Sequence, residues 1–136
     1  MLLLLLLSVS ASTNAENADG LVVVSHIDSP LQALSKQQIK SLFLGKRQEI
    51  HGLSLQAVDI EQWQGTKQAF YEQVIDKNAS QLNAYWARKL FTGRGKPPHR
   101  VKDAKAFYYY LRRNKNAVAY MSVDDVDLER VKILYR

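Results

Sequence analysis

The sequence predicts one α/β domain with a small mixed sheet flanked by helices, and three observations indicate this class. Short runs of apolar, often β-branched residues alternate along the chain with longer segments that have helical spacing. The length of 136 residues suits a single domain. The composition, with 46% hydrophobic and 24% charged residues, is ordinary for a globular protein, and the absence of cysteine excludes disulfide scaffolds and thiol catalysis.

The first fifteen residues have the pattern of a secretory signal peptide. An unbroken apolar run, Leu2 to Leu7, is followed by Thr13-Asn14-Ala15, which places small residues at the −3 and −1 positions of a cleavage site. The run is too short to span a bilayer, although no basic residue precedes it; a buried N-terminal helix is the alternative. We therefore expect a signal peptide at 1–15 and a periplasmic domain at 16–136 without a transmembrane segment.

Four segments are predicted to form strands of one sheet. The first is the β-branched run Leu21-Val22-Val23-Val24, which suits a strand buried on both faces. Together the predicted strands lie near residues 21–25, 55–60, 117–121 and 131–135.

Four helices are predicted from their capping residues and apolar spacing. Ser35 and Asn78 are each followed by a glutamine three residues later, the pattern of a capping box. Gly65-Thr66 begins the helix between them, and Asp103 caps the last one. Gly45 is expected to end the first helix. The large side chains expected in the core are Leu42, Phe43, Phe70, Trp86, Leu90 and Leu111.

Positive charge is concentrated between Arg88 and Lys115. This stretch contains ten basic residues and one acid, Asp103, in a chain of formal charge +6. A solvated helix face with its aromatic residues turned to the core explains the pattern. The alternative is a surface that docks an acidic protein, a membrane or nucleic acid, and a secreted protein seldom meets the last of these.

Signals for catalysis and for metal binding are weak. His26, His51 and His99 are far apart in sequence and form no paired ligand motif. The acidic residues of 124–127 lack the spacing, glycine and closing glutamate of a calcium loop. We therefore expect a protein that is not an enzyme and that has no catalytic residues, metal or cofactor.

The turn at Gly65-Thr66 has the composition of an anion site. It begins a helix just after a strand that ends near Ile60, and the first N–H groups of a helix have no internal partner. Glycine allows close approach to the backbone, Gln64 and Thr66 can donate hydrogen bonds, and Lys67 can supply charge. An ordinary helix cap is the alternative interpretation of the same residues.

Several segments resemble the substrate-binding proteins of phosphate ABC transporters, which have the type II periplasmic binding protein fold. The similarity is strongest to the short, single-domain members of that family. The matching segments are Ser35–Lys46, Gly65-Thr66 with Ala69-Phe70-Tyr71, Gln81–Trp86, Phe91–Pro98 and Ala117–Tyr120.

The resemblance implies a single lobe of that fold and a binding function related to phosphate transport. Phosphate or a similar small oxyanion would bind at the helix start, where Gly65 and Thr66 match the family's phosphate loop and Gln64 stands in place of a serine. The family's arginine is missing, and Arg94 and Lys96 would supply positive charge from a neighbouring loop. The implied partners are the membrane components of an ABC transporter or another periplasmic protein. The alternative is an interaction module that docks through residues 88–115.

Overall fold

The computed structural model describes residues 20–60 and 65–136. The predicted signal peptide at 1–15 and the candidate ligand residue Gln64 lie outside the described residues. None of the helices within them is long and apolar enough to cross a membrane. The strands are β1 (Leu21–His26), β2 (Glu49–Ile50), β3 (Leu53–Ser54), β4 (Gln56–Ile60), β5 (His99–Val101), β6 (Ala117–Ser122) and β7 (Val131–Tyr135).

Five of these strands form one mixed sheet in the order β5-β4-β6-β1-β7. Strand β4 runs parallel to both β5 and β6, whereas β1 is antiparallel to both β6 and β7. The predicted α/β class and the small mixed sheet are therefore confirmed. The short strands β2 and β3 form a separate hairpin.

The described residues contain four α-helices. They are α1 (Lys36–Phe43), α2 (Thr66–Phe70), α3 (Ala79–Phe91) and α4 (Ala104–Leu111). A π-helical turn, Tyr71–Ile75, directly continues α2, and a short 3-10 turn, Val123–Asp125, follows β6.

The predicted caps are present at the helix starts. Ser35 accepts a hydrogen bond from the backbone N–H of Gln38, whose side chain accepts one from the backbone of Ser35. Asn78 and Gln81 form the same reciprocal pair at the start of α3. These caps satisfy N–H groups that a helix leaves without partners.

Both faces of the sheet are buried. Along β1, Leu21 and Val23 pack into a cluster with α1 and α2, while Val22 and Val24 pack into a second cluster with α4. This explains the continuous apolar run, since a strand covered on both faces needs apolar residues at every position. Among the residues expected in the core, Leu42, Phe43, Phe70 and Leu111 are buried.

Two of the expected core residues lie on α3 and are not buried. Leu90 is 61% exposed, and Trp86 is only half-buried at the edge of the core. Helix α3 lies against the end of α1, where the Tyr85 hydroxyl donates to the carbonyl of Leu44 at 2.6 Å. Its last turns therefore extend beyond the core, and the prediction of burial for these two residues is wrong.

Candidate functional site

A cavity of about 190 Å³ lies at the carboxyl ends of the three parallel strands. Strands β4, β5 and β6 end there at Ile60, Val101 and Ser122. In open α/β sheets, ligands bind outside the carboxyl ends of the strands. We call it the strand-end cavity; it is lined by Ile60, Thr66, Lys67, Lys102, Asp103, Ala104, Met121, Ser122 and Asp125.

Three helical starts surround the strand-end cavity, and two of them are capped by side chains. Asp103 accepts from the N–H of Ala106 at 2.9 Å at the start of α4. Ser122 accepts from the N–H of Asp124 at 3.3 Å at the 3-10 turn. Within the described residues, α2 is the start in this cavity that has no side-chain cap.

The start of α2 is open to approach from outside. Gly65 is exposed and has a φ of +47°, a backbone conformation that L side chains rarely adopt. A Cβ at Gly65 would meet no heavy atom of the described chain within 4 Å. Thr66, the first residue of α2, is half-buried and lines the cavity. Within the described residues its hydroxyl makes no hydrogen bond, and the start of α2 has no side-chain cap.

Lys67, which lines the cavity, forms a buried ion pair. Its Nζ is 3.1 Å from Oδ2 of Asp59, and both side chains are only 6% exposed. Asp59 belongs to β4, so the pair fixes α2 to the strand that precedes it. The structure therefore gives Lys67 a neutralising partner inside the protein, whereas the sequence suggested a charge directed at a ligand.

Tyr120 completes the polar network around Asp59. Its hydroxyl donates to Oδ1 of Asp59 and accepts from the backbone N–H of Ile60 at 3.1 Å. Burial, followed by the nearby carboxylate of Asp59, raises the pKa of Tyr120 far above its ordinary value. The same two causes raise the pKa of the neighbouring Tyr71. Both tyrosines therefore remain protonated at neutral pH.

Lys102 supplies an available positive charge at the strand-end cavity. It follows β5 directly, is exposed, and makes no ion pair within the described residues. Asp103 and Asp125 line the same cavity with carboxylates. The cavity thus combines a hydroxyl donor at Thr66, a lysine outside any ion pair of the described residues, and carboxylate acceptors.

Arg94 and Lys96 do not reach this cavity. Arg94 lines a surface cleft beside α3 with Arg88 and Lys89. Lys96 lines another cavity with Gln56 and Ala117, the first residues of β4 and β6. Both basic residues precede β5, so they lie near the end of the sheet opposite Thr66. The expectation that they supply charge to the helix start is not supported by this geometry.

The comparisons with known proteins are structural. No protein-family model matches the sequence, and no curated protein is significantly similar to it. A protein from Clostridium perfringens, described as a phosphate ABC transporter substrate-binding protein and solved with bound phosphate, superposes with a TM-score of 0.66 at 21% identity. An ABC-type phosphate transport receptor from Vibrio cholerae gives a TM-score of 0.65 at 20% identity.

The chain shares the fold of one lobe of these proteins. Each match covers 85% of this chain but only 44% and 45% of the two solved chains. This chain therefore spans less than half of their length.

Sequence reasoning missed Lys102 and the buried partners of Lys67. Strand β5, which precedes Lys102, was not predicted because it has three residues and only Val101 is buried. Without that strand, the sequence did not indicate where Lys102 lies. Asp59 offered a usable signal, since an acid inside a predicted buried strand requires a partner. Tyr120, on a neighbouring strand, could be identified as part of that partner set only once the strand order was known.

Proposed function

We propose that this chain is a non-enzymatic binding domain that holds phosphate or a similar small oxyanion in the strand-end cavity. We propose that the domain acts in the periplasm, in a function related to phosphate transport. Its partners would be transporter components or another periplasmic protein. The observation that carries the proposal is the cavity itself. It joins an uncapped helix start to an available lysine at the strand ends, in a fold shared with a protein solved with phosphate.

The oxyanion would be held by donors from two elements. Thr66 offers its hydroxyl and its backbone N–H at the start of α2, and Gly65 leaves the backbone accessible. Lys102 offers an ammonium group from the turn between β5 and α4. Hydrogen bonds to charged groups are stronger than neutral ones, so this set favours an anion over a neutral solute.

The carboxylates of Asp103 and Asp125 influence which oxyanion can bind in the strand-end cavity. A carboxylate repels an anion unless the anion donates a hydrogen bond to it. Monohydrogen phosphate carries such a proton at neutral pH, whereas sulfate does not. We therefore expect this cavity to prefer phosphate to sulfate.

The structure gives little support to the alternative of one docking surface over residues 88–115. Basic residues of this stretch line separate cavities, with Arg88 and Arg94 in one, Lys96 and Arg113 in another and Lys102 in the strand-end cavity. Phe91, at the end of α3, is the most exposed of the large apolar residues that the structure describes, at 93%. We therefore favour ligand binding in a defined cavity.

The test is calorimetric titration with phosphate and with sulfate. Thr66→Ala removes one hydroxyl donor and should weaken phosphate binding by about 1–3 kcal/mol, the usual scale for a hydrogen bond to a charged group. Lys102→Gln should weaken it by a similar amount because it removes the available cation.

Matched controls distinguish this cavity from general charge. Thr92→Ala removes a hydroxyl at the end of α3, and Lys96→Gln removes a cation near the opposite end of the sheet. Both should leave phosphate binding nearly unchanged. If all four variants bind phosphate as the parent does, or if sulfate binds equally well, the proposed site is wrong.

A further inference from the structure

A second and larger cavity lies at the amino ends of the parallel strands. Its volume is about 760 Å³, and its lining includes Gln56 and Ala117, the first residues of β4 and β6. The strand-end cavity lies at the opposite ends of the same strands. The two sites are therefore separate, and a ligand in the larger cavity would be additional to the oxyanion of the proposed function.

Positively charged side chains are concentrated on the walls of this second cavity. Four basic side chains line it, together with His99, and no acidic residue does so. We call it the basic cleft and define it by Lys96, Arg112, Arg113 and Lys115. Lys115 lies 4.0 Å from the exposed carboxylate of Asp28. The other three form no ion pair within residues 20–60 and 65–136.

The backbone that carries the two arginines is well fixed. The N–H of Arg113 donates to the carbonyl of Tyr110 at 3.2 Å, and the Asn114 side chain donates to the same carbonyl at 3.0 Å. The carbonyl of Asn116 accepts from the N–H of Gln56 at 2.9 Å, which joins the turn to β4. Arg112 and Arg113 therefore lie next to a turn whose backbone is fixed by hydrogen bonds at both ends.

The segment that carries Lys96 and His99 is also held in place. The carbonyl of Lys96 passes so close to Gly45 that a Cβ there would lie 3.1 Å from it. The His99 ring stacks on Tyr110 with centroids 4.3 Å apart. Cations from two separately anchored segments therefore face one space. Like charges gathered in this way without acids raise the local concentration of an anion that neutralises several of them.

We propose that the basic cleft binds a small anion that carries two or more phosphate groups. The volume lies within the usual range for small-molecule sites, which is about 300–1,000 Å³. A single phosphate would engage only part of the basic set, whereas a diphosphate or triphosphate chain reaches cations on both walls. The amide side chains of Asn114 and Asn116 add donors to the arginine pair.

The experiment is titration of the full chain with inorganic tripolyphosphate at fixed ionic strength. We expect one site, with an affinity at least about tenfold above that of monophosphate at this cleft. Amide NMR shifts should centre on residues 112–116. Arg112→Gln combined with Arg113→Gln should weaken tripolyphosphate binding by about tenfold or more. It should leave monophosphate binding in the strand-end cavity unchanged.

The matched control removes two arginines outside the basic cleft. Arg88→Gln combined with Arg94→Gln makes the same change in charge in the cleft beside α3. A loss below about twofold in this control supports the proposal, because screened surface charge contributes weakly. All four arginines are exposed, so these substitutions should not impair folding. Equal losses in both double variants, no loss in the first, or NMR shifts centred on Thr66 would overturn it.

Discussion

The ion pair between Lys67 and Asp59 is almost closed to water, and this burial makes each partner depend on the other. Lys67→Met would leave the carboxylate of Asp59 buried without its cation, which typically costs about 3–5 kcal/mol of unfolding free energy. Urea unfolding measures this loss. Combining Lys67→Met with Asp59→Asn should recover most of it, because no charge is left uncompensated while the amide oxygen of Asn can still accept from Tyr120. A change below about 1 kcal/mol in the single variant would contradict the structural role.

The raised pKa values of Tyr120 and Tyr71 predict that the protein loses stability in alkaline solution. Both have a pKa raised by burial and by Asp59, so the folded protein keeps protons that the unfolded chain releases near pH 10. The unfolding free energy that these two raised pKa values contribute is complete below about pH 10. It declines above that pH by about 1.4 kcal/mol per pH unit for each tyrosine.

Urea unfolding between pH 9 and 11.5 measures this slope. Tyr120→Phe cannot ionise, so its slope should be shallower by one tyrosine's share, even though its stability at neutral pH is lower. Identical slopes for the parent and the variant would show that Tyr120 ionises normally in the folded state.

At the scale of single residues, the sequence predicted Gly65 and Thr66 at a helix start but did not predict the buried ion pair of Lys67. Residue type alone shows a lysine next to a possible anion site. The direction of the Lys67 side chain depends on Asp59, which lies on the strand before the loop. The pairing of these two residues is a property of the tertiary structure.

At the scale of elements, helix starts were more predictable than helix faces. Capping is local, so Ser35 with Gln38 and Asn78 with Gln81 identify their helices directly. The face that a helix buries depends on its neighbour. Helix α3 contacts the end of α1 through Tyr85, and Leu82 is its buried residue, which the apolar spacing of Trp86 and Leu90 could not reveal.

The position of α3 leads to graded costs for truncating its apolar residues. Leu90→Ala should change the unfolding free energy by less than about 0.5 kcal/mol, because the side chain is mostly in water. Trp86→Ala should cost about 1–3 kcal/mol, since its ring is half-buried and lies beside Gly45.

Phe70→Ala provides the fully buried reference and should cost about 3–5 kcal/mol. Denaturant unfolding of the three variants checks the order. A cost for Leu90→Ala equal to that for Phe70→Ala would mean that α3 packs against the sheet in solution.

At the scale of the whole molecule, the α/β class and its strand content followed from pattern and from the resemblance to phosphate-binding proteins. Four of the five sheet strands were predicted, and β5 was missed because three residues with one buried side chain carry no periodicity. The missed strand had a large effect on the site. It places Lys102 at the strand-end cavity, whereas Arg94 and Lys96 line other surfaces, a distribution of charge that the sequence alone could not show.

The position of β1 in the sheet also bears on how this chain acquires its structure. The first strand lies between β6 and β7, the last two, so Val24 faces Ala119 and Ile133 across almost the whole described sequence. Contacts between such distant residues form slowly, because a long loop must close before they contribute. Strand β1 therefore lacks both of its neighbours in the sheet until β6 and β7 are available to pair with it. Helices α1 and α3, whose caps are local, can form transiently before then, but β1 can enter the sheet only after the long loop to β6 and β7 has closed.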